Sequence, residues 1–289
     1  MNKRELIEML LHNVALEHSA IVQYLYHIFL IGDESITSEI EKIARQEMRH
    51  MKWFAQKVVQ LGGEVELKRV EEEIKVGGPD WESMIQNDVN AEQLAIETYT
   101  RQLEEVKDES VKRLLERVIR DESEHEHEFS ELLEEIKKME HSQEEGREVD
   151  EETLRVVNKL LQEEYRIILD YLYNFFHSKN CDYKDIMLDL AVESMVHMGE
   201  LGEKIGELGG TPDLSMPETS KSKKVEEHIL YEEESKKEYI EIAKQVSDPS
   251  LKRLLTWINS QEEYHRERLL EFFRGMRRFT VGDLRKKKA

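Results

Sequence analysis

Three glutamate–histidine pairs, each with a spacing of three residues, constrain this 289-residue chain more than any other sequence feature. They are Glu47 with His50, Glu122 with His125, and Glu262 with His265. Residues three apart lie on the same side of an α-helix, so each pair directs a carboxylate and an imidazole to one place. Another glutamate precedes each pair by thirty residues: Glu17, Glu92 and Glu232. The matched spacing predicts a metal site that is used more than once.

Long amphipathic segments surround these pairs, and few prolines or glycines interrupt them. Apolar residues at helical spacing predict four helices in the first half of the chain, over 5–31, 36–61, 81–107 and 110–139. Gly62 and Gly63 end the second helix, and Asp80 is positioned to cap the third. Four long helices with one long crossover, between the second and third, predict a four-helix bundle.

The pattern then restarts, which predicts a tandem duplication. Tyr24 and Leu61 have counterparts 147 residues later, and the segment that begins at Val111 has one 140 residues later. Residues 140–150 are polar and aperiodic, as in a linker. The predicted fold is therefore all-α, with a first bundle over 1–140, a second over 151–275 and a basic tail over 276–289.

Residues 1–139 resemble a ferritin-like domain of the bacterioferritin or rubrerythrin type. The residues that carry the resemblance are Glu17, Tyr24, Glu47, His50, Glu92, Asp121, Glu122 and His125. The resemblance implies two tandem ferritin-like four-helix bundles and a di-iron carboxylate site in the first. It implies Glu47 and Glu122 as bridging ligands, Glu17 and Glu92 as terminal ligands, and Asp121 as an acceptor that orients a ligand histidine. It also implies that Tyr24 lies close to the metals, as a candidate one-electron donor.

The residue types agree with this site. Four carboxylates neutralise most of the charge of two divalent ions, and one neutral imidazole for each ion suits iron, with manganese as an alternative. Without cations, so many charges inside a bundle would be very costly. Glu124 and His127 form one more pair with the same spacing, but on a different helix face, which we attribute to chance in a glutamate-rich chain.

The second bundle carries the set in altered form. The corresponding residues are Glu164, Ser194, His197, Glu232, Glu262 and His265. Ser194 replaces a bridging glutamate, and its hydroxyl is neutral and too short to bridge two ions. We expect an altered site, which holds one ion, two ions or none; the alternative is a structural copy without metal. Glu193 is expected either to contact His265 or to be a surface residue.

The chain has 63 acidic and 42 basic residues, for a net charge of −21. This balance argues against partners such as nucleic acid or an anionic membrane. No apolar run was expected to reach the length of a membrane span, and the sequence begins directly with an amphipathic helix, so a cytoplasmic protein is expected. Met48 and Met195 are expected to be core or interface methionines, and haem held between them is the alternative.

The predicted function is Fe(II) oxidation with O2 or peroxide, in iron handling or protection from oxidative stress. An oxidase or oxygenase that acts on an organic substrate at the same centre is an alternative, and so is a non-catalytic metal-binding scaffold. The two bundles are expected to pair within the chain as a pseudo-dimer, and a small homo-oligomer is compatible with the sequence.

Overall fold

The computed structural model describes residues 1–78, 80–139, 150–219 and 224–286, and of residues 277–286 it describes the backbone alone. Within these ranges the regular elements are eight α-helices and one short 3-10 helix, and no strand occurs. The chain divides into two compact units, Met1–Val149 with Ile205–Leu214, and Asp150–Lys204 with Ser215–Ala289. The prediction of an all-α protein with two tandem bundles is confirmed.

The first bundle contains helices α1 (Lys3–Ile31), α2 (Glu34–Gln60), α3 (Trp81–Glu105) and α4 (Glu109–Ile136). The helices pack closely in pairs, α1 with α2 and α3 with α4. A crossover that includes the 3-10 helix Glu71–Glu73 joins the two pairs. The observed ends lie within one turn of the predicted ends. This connectivity is the one that the sequence predicted.

Short polar side chains define where these helices begin. Asn2 caps α1 through a capping box, Asp33 accepts a hydrogen bond from the Ser35 amide, and Asp80 accepts one from the Ser83 amide. Because Asp33 is a cap, α2 begins at Glu34, two residues before the predicted start. Gly32 ends α1 with a φ of 64°, a left-handed conformation that favours glycine.

The second bundle contains α5 (Glu151–His177), α6 (Cys181–Glu207), α7 (Val225–Gln245) and α8 (Pro249–Lys286). Asp248 accepts a hydrogen bond of 2.6 Å from the Leu251 amide and precedes the first helical residue, Pro249, a position that favours proline. The predicted boundary at residue 275 falls inside α8. The predicted linker lies almost wholly outside the described residues, at 140–149.

Helix α1 is unusually apolar. By length and composition alone it is able to cross a membrane, so the prediction that no apolar run reaches the length of a membrane span was wrong. In the fold, 72% of its apolar 18-residue segment is buried. The apolar character of α1 is thus that of a core helix.

Polar side chains link α1 to α3. Asn13 and Gln102 exchange two amide hydrogen bonds of 2.7 Å, and Gln23 donates a hydrogen bond of 2.8 Å to Asp88. Asp88 also contacts His27 at 2.8 Å. Between these two polar clusters lie the candidate metal ligands.

Candidate metal centre

The candidate ligands on α2 and α4 lie within the buried apolar stripes of these helices. On α2, Ile36, Ile40 and Ile43 are buried one helical step apart, and the same face continues to Glu47 and His50. The face of α4 that carries Val111, Leu115 and Val118 likewise leads to Glu122 and His125. Periodic burial of the apolar residues therefore forces the carboxylates and imidazoles into the bundle. The six predicted ligands are each no more than 2% exposed: Glu17, Glu47, His50, Glu92, Glu122 and His125.

Each imidazole faces three carboxylates through its Nδ1 atom. His50 Nδ1 lies 3.1 Å from Glu122, 3.3 Å from Glu47 and 3.7 Å from Glu17. His125 Nδ1 lies 2.7 Å from Glu47, 3.3 Å from Glu122 and 3.7 Å from Glu92. The arrangement is close to two-fold symmetric. Glu47 and Glu122 belong to both sets and offer a different oxygen to each histidine.

These distances are those of ligands around a common point. Two atoms that each lie ~2.1 Å from one ion, at right angles, are ~3 Å apart. Glu47 Oε1 and Glu122 Oε1 make no hydrogen bond within the described part of the chain, although each lies close to an imidazole nitrogen. Buried polar atoms without hydrogen bonds are rare and costly, so their convergence fits a cation. The side chains form two groups able to hold a metal ion, and the groups share Glu47 and Glu122.

The pKa values of the glutamates and histidines reflect the same crowding of charges. Burial, together with the nearby charges of Glu122 and Glu47, raises the pKa of both Glu17 and Glu92 well above the ordinary value for a glutamate. Burial opposes protonation of His50, but the surrounding carboxylates, with Glu47 foremost, raise its pKa nonetheless. Without cations the cluster must therefore retain protons. Divalent ions would replace those protons, so metal binding here is coupled to proton release.

Contacts outside the cluster orient one of the two imidazoles. Asp121 Oδ2 lies 3.2 Å from His50 Nε2, which is the partner that the resemblance implied. An acceptor at Nε2 keeps the proton there and leaves Nδ1 free to bind a cation. His125 Nε2 has no hydrogen bond to any described residue. The Arg117 guanidinium stacks over the Trp53 ring, which lies beside His50.

Two tyrosines hold the terminal carboxylates, and the sequence analysis identified one of them. Tyr24 on α1 donates a hydrogen bond to Glu92 on α3, and Tyr99 on α3 donates one to Glu17 on α1. Burial raises the pKa of both phenols well above the ordinary value. Tyr99 was missed, although it follows Glu92 by the same seven residues that separate Tyr24 from Glu17. That repeated spacing was the available signal.

A cavity of about 320 Å³ lies along the α1–α3 side of the first bundle. Its inner part reaches the carboxylates of Glu17, Glu47, Glu92 and Glu122. Its apolar lining comes from both helices: Leu16, Ala20, Ala91, Leu94 and Ala95. Glu73 and Lys75 of the crossover also line it. The cavity has the volume of a site for a small molecule.

The second bundle holds a comparable cluster, which we call the second site. It consists of Glu164, His197, Glu232, Glu262 and His265, together with Ser194, and each of these is at most 3% exposed. Its carboxylates and imidazoles form two groups able to hold a metal ion, Glu164 with His197 and Glu262, and Glu232 with Glu262 and His265. The structure thus brings together all the predicted ligands of the second bundle. Here the groups share only Glu262.

The second site differs from the first in its bridging side chains. His197 Nδ1 and His265 Nδ1 lie 3.3 Å and 3.7 Å from the same oxygen, Oε1 of Glu262. Tyr239 donates a hydrogen bond of 2.6 Å to Glu164, and Tyr171 donates one to Glu232, as in the first bundle. The pairing of tyrosines with terminal carboxylates is therefore common to both bundles.

Glu193 lies 2.7 Å from His265 Nε2, which confirms the first of the two roles considered for it. The carboxylate that contacts the Nε2 atom of a ligand histidine therefore comes from a different helix in each bundle. In the first it comes from the fourth helix and contacts the histidine of the second helix. In the second it comes from the second helix of the bundle and contacts the histidine of the fourth.

Comparison with known proteins agrees with this architecture. The model of the ferritin-like domain matches the chain twice, over residues 7–139 and 155–279. A bacterioferritin from Desulfovibrio desulfuricans is 31% identical over 129 residues, which cover 43% of this chain and 71% of that protein. One bundle of this chain therefore corresponds to most of that relative. On these matches the chain belongs to the ferritin-like domain family, whose domain it contains twice.

Proposed function

We propose that the first bundle binds two ferrous ions and oxidises them to the ferric state, with O2 or peroxide as the electron acceptor. The observation that carries this proposal is the pair of four-residue ligand groups that share Glu47 and Glu122. The similarity to a bacterioferritin supports iron as the metal. Manganese fits the same oxygen and nitrogen ligands and is the alternative.

The protein's part in this reaction is to fix positions and charge. Glu47 and Glu122 each present one oxygen to each ion position, and Glu17 and Glu92 complete the two groups. Two bound iron ions supply two electrons, which with two protons convert O2 to hydrogen peroxide, or hydrogen peroxide to two waters. Four carboxylates match the charge of the ferrous pair and favour its loss of electrons.

Tyr24 and Tyr99 keep the terminal carboxylates in place through their hydrogen bonds to Glu92 and Glu17. We propose Tyr24 as a one-electron donor, because an electron that leaves its phenol can be accompanied by transfer of the phenolic proton to Glu92. The cavity between α1 and α3 reaches the carboxylates and offers a route to them.

The test is oxidation of bound iron. Protein freed of metal is loaded with Fe(II) without oxygen and then mixed with aerated buffer, while ferric absorbance and O2 uptake are followed. We expect ferric absorbance to rise far faster than in buffer alone, with one O2 consumed for two iron ions when peroxide is the product. Iron that stays bound and ferrous would contradict the proposal and favour a metal-binding scaffold.

The cavity favours a second candidate function, oxidation of a small organic substrate at the same centre. Its apolar lining beside the carboxylates is a surface that an organic molecule fits and a hydrated ion does not require. In this case the organic molecule occupies the space near Ala91 and Ala95.

A substitution that fills the cavity separates the two functions. Ala95→Leu narrows the cavity, whereas Thr100→Leu places the same side chain at an exposed position of α3. If the cavity holds an organic molecule, mass spectrometry of an extract of the purified protein finds a compound that Ala95→Leu loses and Thr100→Leu retains. If the cavity only admits ions and O2, we expect no such compound, and Fe(II) oxidation falls roughly tenfold in Ala95→Leu alone.

We further propose that the protein acts in the cytoplasm on metal ions and not on nucleic acid or membranes. We retain 1–140, 151–275 and 276–289 as the proposed boundaries of the two bundles and the tail. Pairing of the bundles as a pseudo-dimer, and assembly into a small homo-oligomer, also remain proposals.

A further inference from the structure

We propose that the second site binds divalent metal ions and keeps them reduced, so that one chain contains one bundle that oxidises iron and one that holds it as Fe(II). The binding part of this inference does not depend on the proposed function. The contrast in oxidation does rest on it. Three features of the second bundle support the proposal: its unsatisfied buried atoms, its supporting contacts and its charge.

Four atoms of the second site lack hydrogen bonds. They are Glu164 Oε2, His197 Nδ1, Glu232 Oε2 and His265 Nδ1, and among the described residues none has a hydrogen-bond partner. Each belongs to a residue that is at most 3% exposed. His197 Nδ1 is 3.5 Å from Oε1 of Glu164, and His265 Nδ1 is 3.6 Å from Oε2 of Glu232, and neither contact is a hydrogen bond. A cation between them satisfies all four.

The hydrogen bonds around the second site are of the kind that orients metal ligands. Glu193 accepts a hydrogen bond from His265 Nε2, which directs the lone pair of Nδ1 into the site. Tyr239 and Tyr171 fix one oxygen of Glu164 and of Glu232, and leave the second oxygen of each for a cation. A bundle retained only for packing gains nothing from buried carboxylates held in this way, since apolar residues of similar volume would pack there at lower cost.

The charge of the second site is what sets it apart. Ser194 lies where the first bundle has Glu47, so three carboxylates face the ions instead of four. Two divalent ions then leave one positive charge uncompensated, and conversion of both ions to the trivalent state leaves three. The first site carries one positive charge fewer in each state. In a buried site extra positive charge is poorly screened, so the second site favours the divalent state.

The oxygen of Glu262 that both imidazoles face also favours the divalent state. In the first bundle each bridging carboxylate presents a separate oxygen to each imidazole. In the second, both imidazoles face Oε1 of Glu262. A single oxygen shared by two positions supplies less negative charge to each of them than two bridging carboxylates do. The ferric pair therefore loses more stabilisation than the ferrous pair.

Binding is tested with Co(II), whose visible absorption reports protein ligands. The double variant Glu47→Ala with Glu122→Ala disables the first site. We expect it to bind at least one Co(II) per chain, and we expect the further change Glu262→Ala to remove that absorption. Absence of Co(II) absorption in the folded double variant, as judged by circular dichroism, would overturn the proposal whether or not the wild-type protein oxidises iron.

Retention of the ferrous state is tested in the same double variant. Loaded with Fe(II) and exposed to air, it should oxidise iron at least about 100-fold more slowly than the wild type. Ser194→Glu restores the fourth carboxylate, and we expect it to restore rapid oxidation. Ser260→Glu, which adds the same charge at an exposed position of α8, should not. Rapid oxidation with Ser194 in place, or none in a Ser194→Glu variant that binds Co(II), would overturn the contrast.

Discussion

Replacement of Glu122 with alanine lowers the initial rate of Fe(II) oxidation by at least about 100-fold, because both ion positions of the first bundle lose one oxygen of the carboxylate that they share. Its two oxygens lie 3.1 Å from His50 Nδ1 and 3.3 Å from His125 Nδ1. Loss of a contact that only orients a ligand typically costs 10–100-fold in metal affinity or activity, so loss of the bridging ligand itself should cost more. Stopped-flow absorbance after addition of Fe(II) in air measures the rate.

A neighbouring residue on the same helix gives the matched control. Glu124 is exposed and belongs to the pair with His127 that we attribute to chance. We expect Glu124→Ala to oxidise Fe(II) at the wild-type rate. Equal loss of activity in both variants would show that the effect comes from α4 as a whole. Wild-type activity in Glu122→Ala would refute the assignment of the centre.

Metal loading should stabilise the protein strongly. An ion present at 1,000 times its dissociation constant adds about 4 kcal/mol per site to the free energy of unfolding. For a domain of this size, 1 kcal/mol corresponds to roughly 2–4 °C. We therefore expect Mn(II), which does not oxidise readily under air, to raise the melting temperature of metal-free protein by roughly 10 °C or more, as measured by calorimetry.

The variant Glu122→Gln tests whether Mn(II) stabilises the protein by binding at this centre or only as a general effect of added salt. It removes one negative charge from a buried cluster whose carboxylates repel one another, as the raised pKa of Glu17 and of Glu92 indicates. We expect the metal-free variant to melt a few degrees above the metal-free wild type, and most of the Mn(II) effect on the first bundle to disappear. An undiminished Mn(II) shift in this variant would mean that the ion binds elsewhere.

The parts of the structure that depend on periodicity were predictable from the sequence. Glu47 and His50 continue a stripe that begins with Ile36, so their helix, their face and their burial follow from spacing alone. The family resemblance implied that Asp121 contacts a ligand histidine, which is His50, and the contact of Glu193 with His265 was one of the two roles expected for it.

Features that depend on the separation of two helices were not predictable in this way. Ala91 and Ala95 are ordinary helix-forming residues in sequence, and they line a cavity only because α1 stands opposite α3. The convergence of the side chains at the second site was not predictable for a related reason. Counting carboxylates identified the loss caused by Ser194, but it did not show that the remaining side chains converge, with Glu262 common to both groups.

The polar ties between α1 and α3 also set how the two helices align. Along α1, Asn13 pairs with Gln102 and Glu17 with Tyr99, and the adjacent residues Gln23 and Tyr24 pair with Asp88 and Glu92. The partners of the first two residues lie near the end of α3 and those of the last two lie earlier in it, as in an antiparallel pair. A slide of one helix by a single turn would therefore break all four contacts together. Hydrogen bonds thus specify the register of α1 against α3. They also hold the two helices apart, so that the cavity between them stays open.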